Sequence, residues 1–226
     1  MPRDIILLTG RREAPHLGGH LKRFNPELKI RSAFTKSDLA RAAAASDPEV
    51  RLISFTSAVI VPSDILDELA LIPYNFHPGP PTHPGVYSES FALYHGTKRF
   101  GATVHEMTTE VDAGPIVGVE WFDIPENCRR MQLAGMAYEA LVNLFSHFAQ
   151  FLATSDDPLP KIEAEWSGRP TRRKDFEAMC DLPTDIDAAE FERRFRCFGE
   201  GPDNALSISL HGHKFRIEND WQDEYY

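Results

Sequence analysis

Apolar and polar positions alternate along the first half of the chain in a way that predicts strands separated by helices. Short apolar runs predict buried strands at residues 4–10 (DIILLTG), 27–34 (ELKIRSAF) and 49–62 (EVRLISFTSAVIVP). Two segments with Ser/Asp starts predict helices, KSDLARAAAASD at 36–47 and SDILDEL at 63–69. This alternation predicts an α/β fold with a mainly parallel sheet.

The second half continues the pattern and then changes character. A predicted helix that begins at residue 88 and ends at Gly96 precedes two alternating segments, 100–107 and 114–124, that predict strands. Apolar residues recur at helical spacing throughout 129–154, which predicts one long amphipathic helix packed across the sheet. From residue 156 the chain is polar and contains prolines, as linkers do, and residues 205–218 predict a hairpin.

We therefore predict a main domain over residues 1–155, followed by a linker and a small C-terminal β-hairpin appendage over 156–226. An isolated hairpin is too small to be stable alone. Its strands leave unpaired edges, so it could pair with a second copy of the chain, and a homodimer is one arrangement we consider.

The amino-acid composition limits the kinds of molecule that the protein can be expected to bind. The chain has 34 acidic and 24 basic side chains, a net charge of −10, and lacks the positive field that non-specific nucleic-acid binding requires. Its three cysteines have no zinc-like spacing, which favours free thiols in a reducing compartment. The N-terminal apolar run is too short for a signal peptide or a membrane span. We expect a soluble cytoplasmic protein with no nucleic-acid or membrane partner.

One segment, YNFHPGPPTHPG at 74–85, concentrates candidate chemistry between prolines and glycines that preclude a helix and a central strand. Asn75 and His77 are separated by one residue, so in an extended chain they point to the same side and can both donate to one oxyanion. Asp112, in a loop between two predicted strands, could carry a proton or raise the pKa of an imidazole. On spacing alone, an Asn-x-His pair is more often structural.

Other cofactor classes find little support in the motifs. The turn after the first strand, TGRREAPHLGGH, matches neither a dinucleotide fingerprint nor a P-loop, so we expect no NAD or ATP there. The histidines lack the spacing of a helical metal-binding pair, and we expect no metal site.

Taken together, the separated elements NFHPGPPTHPG and FGATVHEMTTEVDAGPIV resemble the folate-dependent formyltransferases. Asn75, His77 and Asp112 fill the three catalytic places of that family's pattern, and His105 fills the x-V-H place. The resemblance implies a Rossmann-like formyltransferase domain over residues 1–155. It also implies 10-formyltetrahydrofolate as the formyl donor.

The resemblance further implies where the donor binds. Its pteridine would lie between the apolar segment before Asn75 and the Asp112 loop. The corresponding donor-binding residues here are Val59, Ile60, Val61, His105, Glu110, Val111 and Gly114. In the implied mechanism, Asn75 and a protonated His77 hydrogen-bond the oxyanion, and Asp112 keeps His77 charged and helps to move a proton.

The acceptor implied by the resemblance is the amine of a small molecule. Departures from the purine and tRNA branches, together with the negative net charge, favour a nucleotide-linked amino sugar. Four aromatic residues could stack a nucleotide base or pack in the core, namely Trp166, Phe176, Phe195 and Trp221. Two alternatives stay open: a 10-formyltetrahydrofolate hydrolase that uses the same residues on water, and a non-catalytic folate-binding protein.

Overall fold

A six-stranded sheet in the order β2-β1-β3-β4-β5-β6 forms the centre of the computed structural model, which describes residues 4–200 and 206–217. Strands β1 to β4 are parallel, whereas β5 and β6 are antiparallel to their neighbours. The strands of this sheet are β1 (Asp4–Leu8), β2 (Lys29–Ala33), β3 (Arg51–Phe55), β4 (Tyr74–His77), β5 (Arg99–Glu106) and β6 (Ile116–Asp123). The predicted α/β fold with a mainly parallel sheet is confirmed.

Helices cover both faces of this sheet. The helices are α1 (Glu13–Lys22), α2 (Lys36–Ala44), α3 (Ser63–Glu68), α4 (Ser88–Tyr94), α5 (Arg130–Thr154), α6 (Arg173–Cys180) and α7 (Ala188–Phe198). The predicted long helix is α5, which packs with α1 over one face of the sheet, while α2 and α3 cover the other face. β1 and β3 are buried because helices cover both of their sides, which explains their nearly continuous apolar runs. None of the described helices is both long and apolar enough to cross a membrane.

Strand β4 corrects one expectation from the sequence. The prolines of residues 74–85 suggested that this segment avoids a central strand, yet Tyr74–His77 lies between β3 and β5. The four residues of β4 precede the first proline, Pro78, so every backbone N–H that the ladder needs is present. The prolines therefore end the strand rather than preventing it.

The C-terminal region forms a second small sheet. The predicted hairpin is present as β8 (Ser207–Leu210) and β9 (His213–Arg216), and a short third strand, β7 (Asp181–Leu182), pairs in parallel with β8. Side chains of α4, α6 and α7 share one apolar cluster with this region, including Phe91, Phe176 and Phe198. The hairpin is thus supported by packing that its own sequence does not reveal.

The segment predicted as a linker follows the edge of the main sheet, and we call residues 159–171 the strap. The backbone N–H of Leu159 donates to the Tyr74 hydroxyl at 2.7 Å, and that of Ile162 donates to the carbonyl of Ile116 at 3.0 Å. Near its end, Thr171 forms a parallel bridge with Gly85. The strap therefore touches the strands and loops that carry the candidate site. The domain division at residue 156 stays a prediction.

A buried arginine joins β3 to the end of α5. Arg51 is fully buried, and its guanidinium donates to the carbonyls of Ser155 at 2.8 Å and Asp157 at 3.1 Å, with a longer contact to Leu152 at 3.4 Å. These carbonyls belong to or follow the last turn of α5, where helices leave carbonyls without intrahelical partners. Arg51 therefore caps α5 from the middle of the sheet.

Replacing this guanidinium with an apolar chain is expected to destabilise the fold. In Arg51→Met, buried carbonyls lose their donor, so the free energy of unfolding should fall by about 2–4 kcal/mol, measured by urea unfolding. The matched control is Arg41→Met, because the Arg41 side chain is 74% exposed and its loss should cost about 0.5 kcal/mol or less. A loss below about 1 kcal/mol in Arg51→Met would contradict the capping role.

Candidate active site

Strands β4 and β5 bring three polar side chains to one face of the sheet. Asn75 and His77 are two residues apart on β4 and so point to the same side, while Asn75 lies directly opposite His105 on β5. The Asn75 amide nitrogen is 3.1 Å from His105 Nε2. The pairing of β5 with β6 shifts at His105, an irregularity of the kind that re-aims side chains near active sites.

Asp112 completes this group from the loop between β5 and β6. Its Oδ2 accepts the backbone N–H of Gly85 at 2.8 Å and lies 3.5 Å from His77 Nδ1, while its Oδ1 lies 3.3 Å from His105 Nε2. The residue is 6% exposed and adopts φ +48°, a left-handed conformation that Asp tolerates better than most residues. We call Asn75, His77, His105 and Asp112 the polar cluster.

Glycines allow the loop after β4 to close against this cluster. A Cβ on Gly79 would stand 2.5 Å from His77 Nε2, and Gly85, at φ +93°, has no room for a Cβ beside the backbone of Thr171. The conformation of Gly85 directs its N–H to Asp112. The Pro/Gly content of residues 78–85 thus pre-shapes a loop that packs on His77 and holds Asp112.

Burial decides the charge of His77. Desolvation lowers the pKa of His77 and outweighs the opposing influence of Asp112, so the imidazole is neutral at neutral pH. Burial alone would raise the pKa of Asp112, but His77, His105 and the Gly85 N–H together lower it, so the carboxylate stays ionised. The direction of this pKa shift disfavours, in the free protein, the protonated His77 of the implied mechanism.

The hydrogen bonds of His105 define its tautomer when the ring is neutral. Its Nδ1 lies 2.8 Å from the backbone carbonyl of Glu106, which can only accept, so Nδ1 carries the proton. Nε2 is then an acceptor for the Asn75 amide. His105 thus orients the amide nitrogen of Asn75 rather than its oxygen toward this side of the site.

A cavity of about 210 Å³ opens beside the polar cluster. It brings together the cluster and most of the residues predicted to bind the donor, namely Val59, Ile60, Val61, Glu110 and Val111. Ile60 is 69% exposed and Val111 51% exposed, so the mouth of the cavity is apolar. Gly114, also predicted for this role, is absent from the described lining residues. Its carbonyl accepts the indole N–H of Trp166 at 2.8 Å.

A larger groove of about 1,120 Å³ starts beside the same loop and runs to the N-terminus of α5. Thr56 and Pro78, which directly follow β3 and β4, line it together with Tyr138 of α5, and Arg129 lines it where α5 begins. The wall includes Arg130, which donates to the Glu89 carboxylate at 3.1 and 3.0 Å. Sequence reasoning missed this groove, although the Arg129–Arg130 pair before a long helix was visible.

The four aromatic residues considered for base stacking have different surroundings. Trp166 lies next to His77 and His105. Phe176 is buried and stacks on Tyr87 with ring centroids 3.9 Å apart, and Phe195 stacks on Phe191 at 6.1 Å. Trp221 lies outside the described residues. Within 4–200 and 206–217, His, Cys, Asp and Glu side chains form no group of three or more that could hold a metal ion.

Known proteins are similar to this chain in sequence over its first part and in fold over nearly all of it. A family model for formyl transferases matches residues 9–137. Among solved structures, a sugar N-formyltransferase from a Shewanella species is 17% identical, with a TM-score of 0.78 and 96% of each chain covered. A 4-N formyltransferase from Francisella tularensis is 18% identical, with a TM-score of 0.72, covering 97% of this chain and 98% of that one.

A third structure is the N-formyltransferase from Helicobacter canadensis in complex with folinic acid and dTDP-3-aminofucose. It is 14% identical, with a TM-score of 0.67, and the match covers 92% of this chain and 86% of that one. Identities this low establish the fold alone, and no curated protein matches at a significant level. The family model, however, spans more than half of the 226 residues. The chain therefore belongs to the formyl transferase family, as its sequence predicted.

Proposed function

We propose that this protein transfers a formyl group from 10-formyltetrahydrofolate to the amine of a small molecule, with a nucleotide-linked amino sugar as the favoured acceptor. The polar cluster is the observation that supports this proposal most strongly. It lines the 210 Å³ cavity and lies next to the loop that borders the larger groove. The Helicobacter relative, solved with a folate and a nucleotide-linked amino sugar, supports the choice of both substrates.

The smaller cavity suits the ring system of the donor. About 210 Å³ is less than the ~300–1,000 Å³ typical of sites for drug-sized ligands, so it fits a bicyclic ring rather than a whole folate. Exposed Ile60 and Val111 at its mouth can cover the faces of such a ring. The backbone of Val59–Val61 and of the Asp112 loop would bond the polar edge of the pteridine.

The roles of the cluster follow from which atoms can donate. When bound, the donor supplies a formyl group on its N10 nitrogen. As the acceptor nitrogen attacks the formyl carbon, the Asn75 amide donates to the oxygen that becomes negative. The Nδ1–H of His77 is the second donor, because its 3.5 Å contact with Asp112 is long for a hydrogen bond and leaves it available.

The proton balance assigns a role to Asp112. A new bond forms between the acceptor nitrogen and the formyl carbon, the bond from that carbon to N10 breaks, and one proton moves from the acceptor nitrogen to N10. Asp112 is ionised, and the backbone N–H of Gly85, which its Oδ2 accepts at 2.8 Å, holds it in place. It would accept this proton, directly or through one water, and return it to N10.

The larger groove is the proposed site for the acceptor. It adjoins the cluster at Thr56 and Pro78, so an amine bound there could reach the formyl carbon. Along α5 it offers the guanidinium of Arg129, 59% exposed although ion-paired with Glu200, and the ring of Tyr138. A cation and an aromatic ring in the same groove suit the phosphates and the base of a phosphorylated nucleoside.

Donor binding is the first test. Calorimetric titration with 5-formyltetrahydrofolate, a stable analogue of the donor, is expected to show one saturable site. Ile60→Glu should weaken binding about ten-fold or more, because an apolar contact at the cavity mouth becomes charged. Ile72→Glu, at an exposed position outside this cavity, is the control and should bind like the wild type. Absence of binding at millimolar ligand would contradict the proposal.

An activity assay then distinguishes formyl transfer to an amine from hydrolysis of the formyl donor. With 10-formyltetrahydrofolate and a nucleotide-linked amino sugar, release of tetrahydrofolate is expected only when the amine is present. Release of formate at an equal rate without amine would identify a hydrolase instead. Binding without turnover, across a panel of amines, would identify a folate-binding protein.

A further inference from the structure

The indole of Trp166 lies against both histidines of the polar cluster. Its ring centroid is 5.0 Å from that of His105, nearly perpendicular at 89°, and 6.0 Å from that of His77, at 64°. Both are edge-to-face arrangements of the kind that aromatic rings favour. Trp166 does not line the cavity proposed for the donor, so it contacts the imidazoles from outside that cavity.

Hydrogen bonds of the strap hold this indole in place. Its Nε1–H donates to the carbonyl of Gly114 at 2.8 Å, on the loop that also carries Asp112. The next residue, Ser167, donates its backbone N–H to the carbonyl of Pro81 at 2.9 Å, on the loop after β4. Trp166 therefore joins the two loops that meet at Asp112.

We infer that Trp166 is a positioning residue, which fixes the imidazoles of His77 and His105 against Asp112 and keeps water from them on the outer side. The inference rests on the proposed function in one respect, that these imidazoles serve formyl transfer. The comparisons assign no role to this tryptophan, and the sequence offered it only as one of four aromatic residues that could stack a nucleotide base or pack in the core. Its signal in the sequence was weak, because it stands in a polar segment typical of a linker.

An imidazole needs such a neighbour to hold one orientation. Rotation about χ2 of histidine is broad, so hydrogen bonds and packing must select the ring orientation. The contact of His77 with Asp112 is long, at 3.5 Å, and His77 Nε2 is buried without a hydrogen-bond partner among the described residues. Apart from a backbone hydrogen bond with His83, packing has to fix the ring, and Trp166 is a large side chain in contact with it.

Water exclusion has a measurable consequence. Burial lowers the pKa of His77, whereas the charges that face it act in both directions: Asp112 from its loop and Glu89 from α4 raise this pKa, and His105 from β5 lowers it. Removing the indole would admit water without removing Asp112 or Glu89. The pKa of His77 should then rise toward its ordinary value, and the imidazole should become charged at a higher pH than in the wild type.

The test compares Trp166→Ala with Trp121→Ala, a tryptophan on β6 that is 39% exposed and lies outside the polar cluster. Titration of the His77 ring signals by NMR, assigned with His77→Ala, is expected to show a higher midpoint in Trp166→Ala and no change in Trp121→Ala. In the transfer assay, kcat should fall about 10- to 100-fold in Trp166→Ala with little change in donor affinity. The acid limb of its pH–rate profile should move to higher pH.

A folded Trp166→Ala with wild-type His77 titration and wild-type kcat would overturn the inference. If that variant does not fold, Trp166→Leu decides, since it keeps an apolar side chain but removes both the aromatic ring and the N–H that bonds Gly114. Wild-type His77 titration and wild-type kcat in Trp166→Leu would overturn the inference. The NMR titration needs no substrate, so a shifted midpoint in a protein without transferase activity would refute the proposed function and leave the positioning role standing.

Discussion

Asp112→Asn is expected to lower kcat for formyl transfer by about 100- to 10,000-fold in a protein that folds like the wild type. The carboxylate of Asp112 is the ionised group held between His77 and His105, and it is the proposed carrier of the proton that leaves the acceptor nitrogen. An amide at this position cannot accept that proton. The loss should appear in kcat, because the step that fails follows binding.

Asparagine is the informative replacement because of the backbone at this position. Asp112 adopts φ +48°, which asparagine tolerates and alanine does not, so an alanine variant would add backbone strain to the lost chemistry. An asparagine oxygen can also still accept the Gly85 N–H, now 2.8 Å from the carboxylate. The loop conformation should therefore survive.

The control and the readout separate chemistry from folding. Asp123→Asn is matched in chemistry, because the Asp123 side chain lies on β6 and is 87% exposed, and its kcat should equal that of the wild type. Both variants should unfold at nearly the same urea concentration as the parent and bind 5-formyltetrahydrofolate. Wild-type turnover in folded Asp112→Asn would rule out the proposed proton transfer.

Asn75→Ala should lower kcat by about 100- to 1,000-fold, the usual loss when one oxyanion donor is removed. The amide nitrogen of Asn75 is oriented by His105 at 3.1 Å and faces the cavity beside the polar cluster. The hydrogen bond from the Asn75 amide strengthens only as negative charge develops on the formyl oxygen. We therefore expect kcat and kcat/KM to fall together while KM stays nearly constant.

The matched control for Asn75 is Asn143→Ala. Asn143 donates to the Glu120 carboxylate at 2.9 Å on the exposed side of α5, away from the polar cluster, and its loss should leave kinetics unchanged. A rise in KM with unchanged kcat in Asn75→Ala would show that the amide binds the substrate but not the transition state. That outcome would remove Asn75 from the oxyanion role.

Sequence reasoning was accurate where structure follows from local pattern. The apolar runs of β1 and β3 and the periodicity of α5 each predict an element from adjacent residues, and all three are present. It was wrong for β4, because the prolines that follow His77 masked a four-residue strand. It did not anticipate β7, two residues long, since its pairing with β8 depends on a strand far away in the chain.

The strap shows that a linker-like sequence can still form long-range contacts with the main sheet. Its polar, proline-containing sequence is typical of a linker, yet Trp166 bonds Gly114, 52 residues earlier in the chain. Long-range contacts of this kind leave no periodic trace, because the strap bonds several elements in turn, among them β4 at Tyr74, β6 at Ile116 and the loop after β4 at Pro81. The domain boundary predicted at residue 156 is untested for the same reason: composition marks where the pattern changes, not where packing ends.

The sequence by itself determined the alternation of strands and helices in the first half, the family, and the choice of Asn75, His77, His105 and Asp112 as candidates, since these depend on residue type and spacing. Only the tertiary structure decided that burial lowers the pKa of His77, that the Asn75 amide contacts His105, and that Trp166 of the strap contacts both imidazoles. The reason is physical. Desolvation and hydrogen bonding are properties of the surroundings, and the surroundings of His77 come from β5, α4, the Asp112 loop and the strap, which only folding brings together.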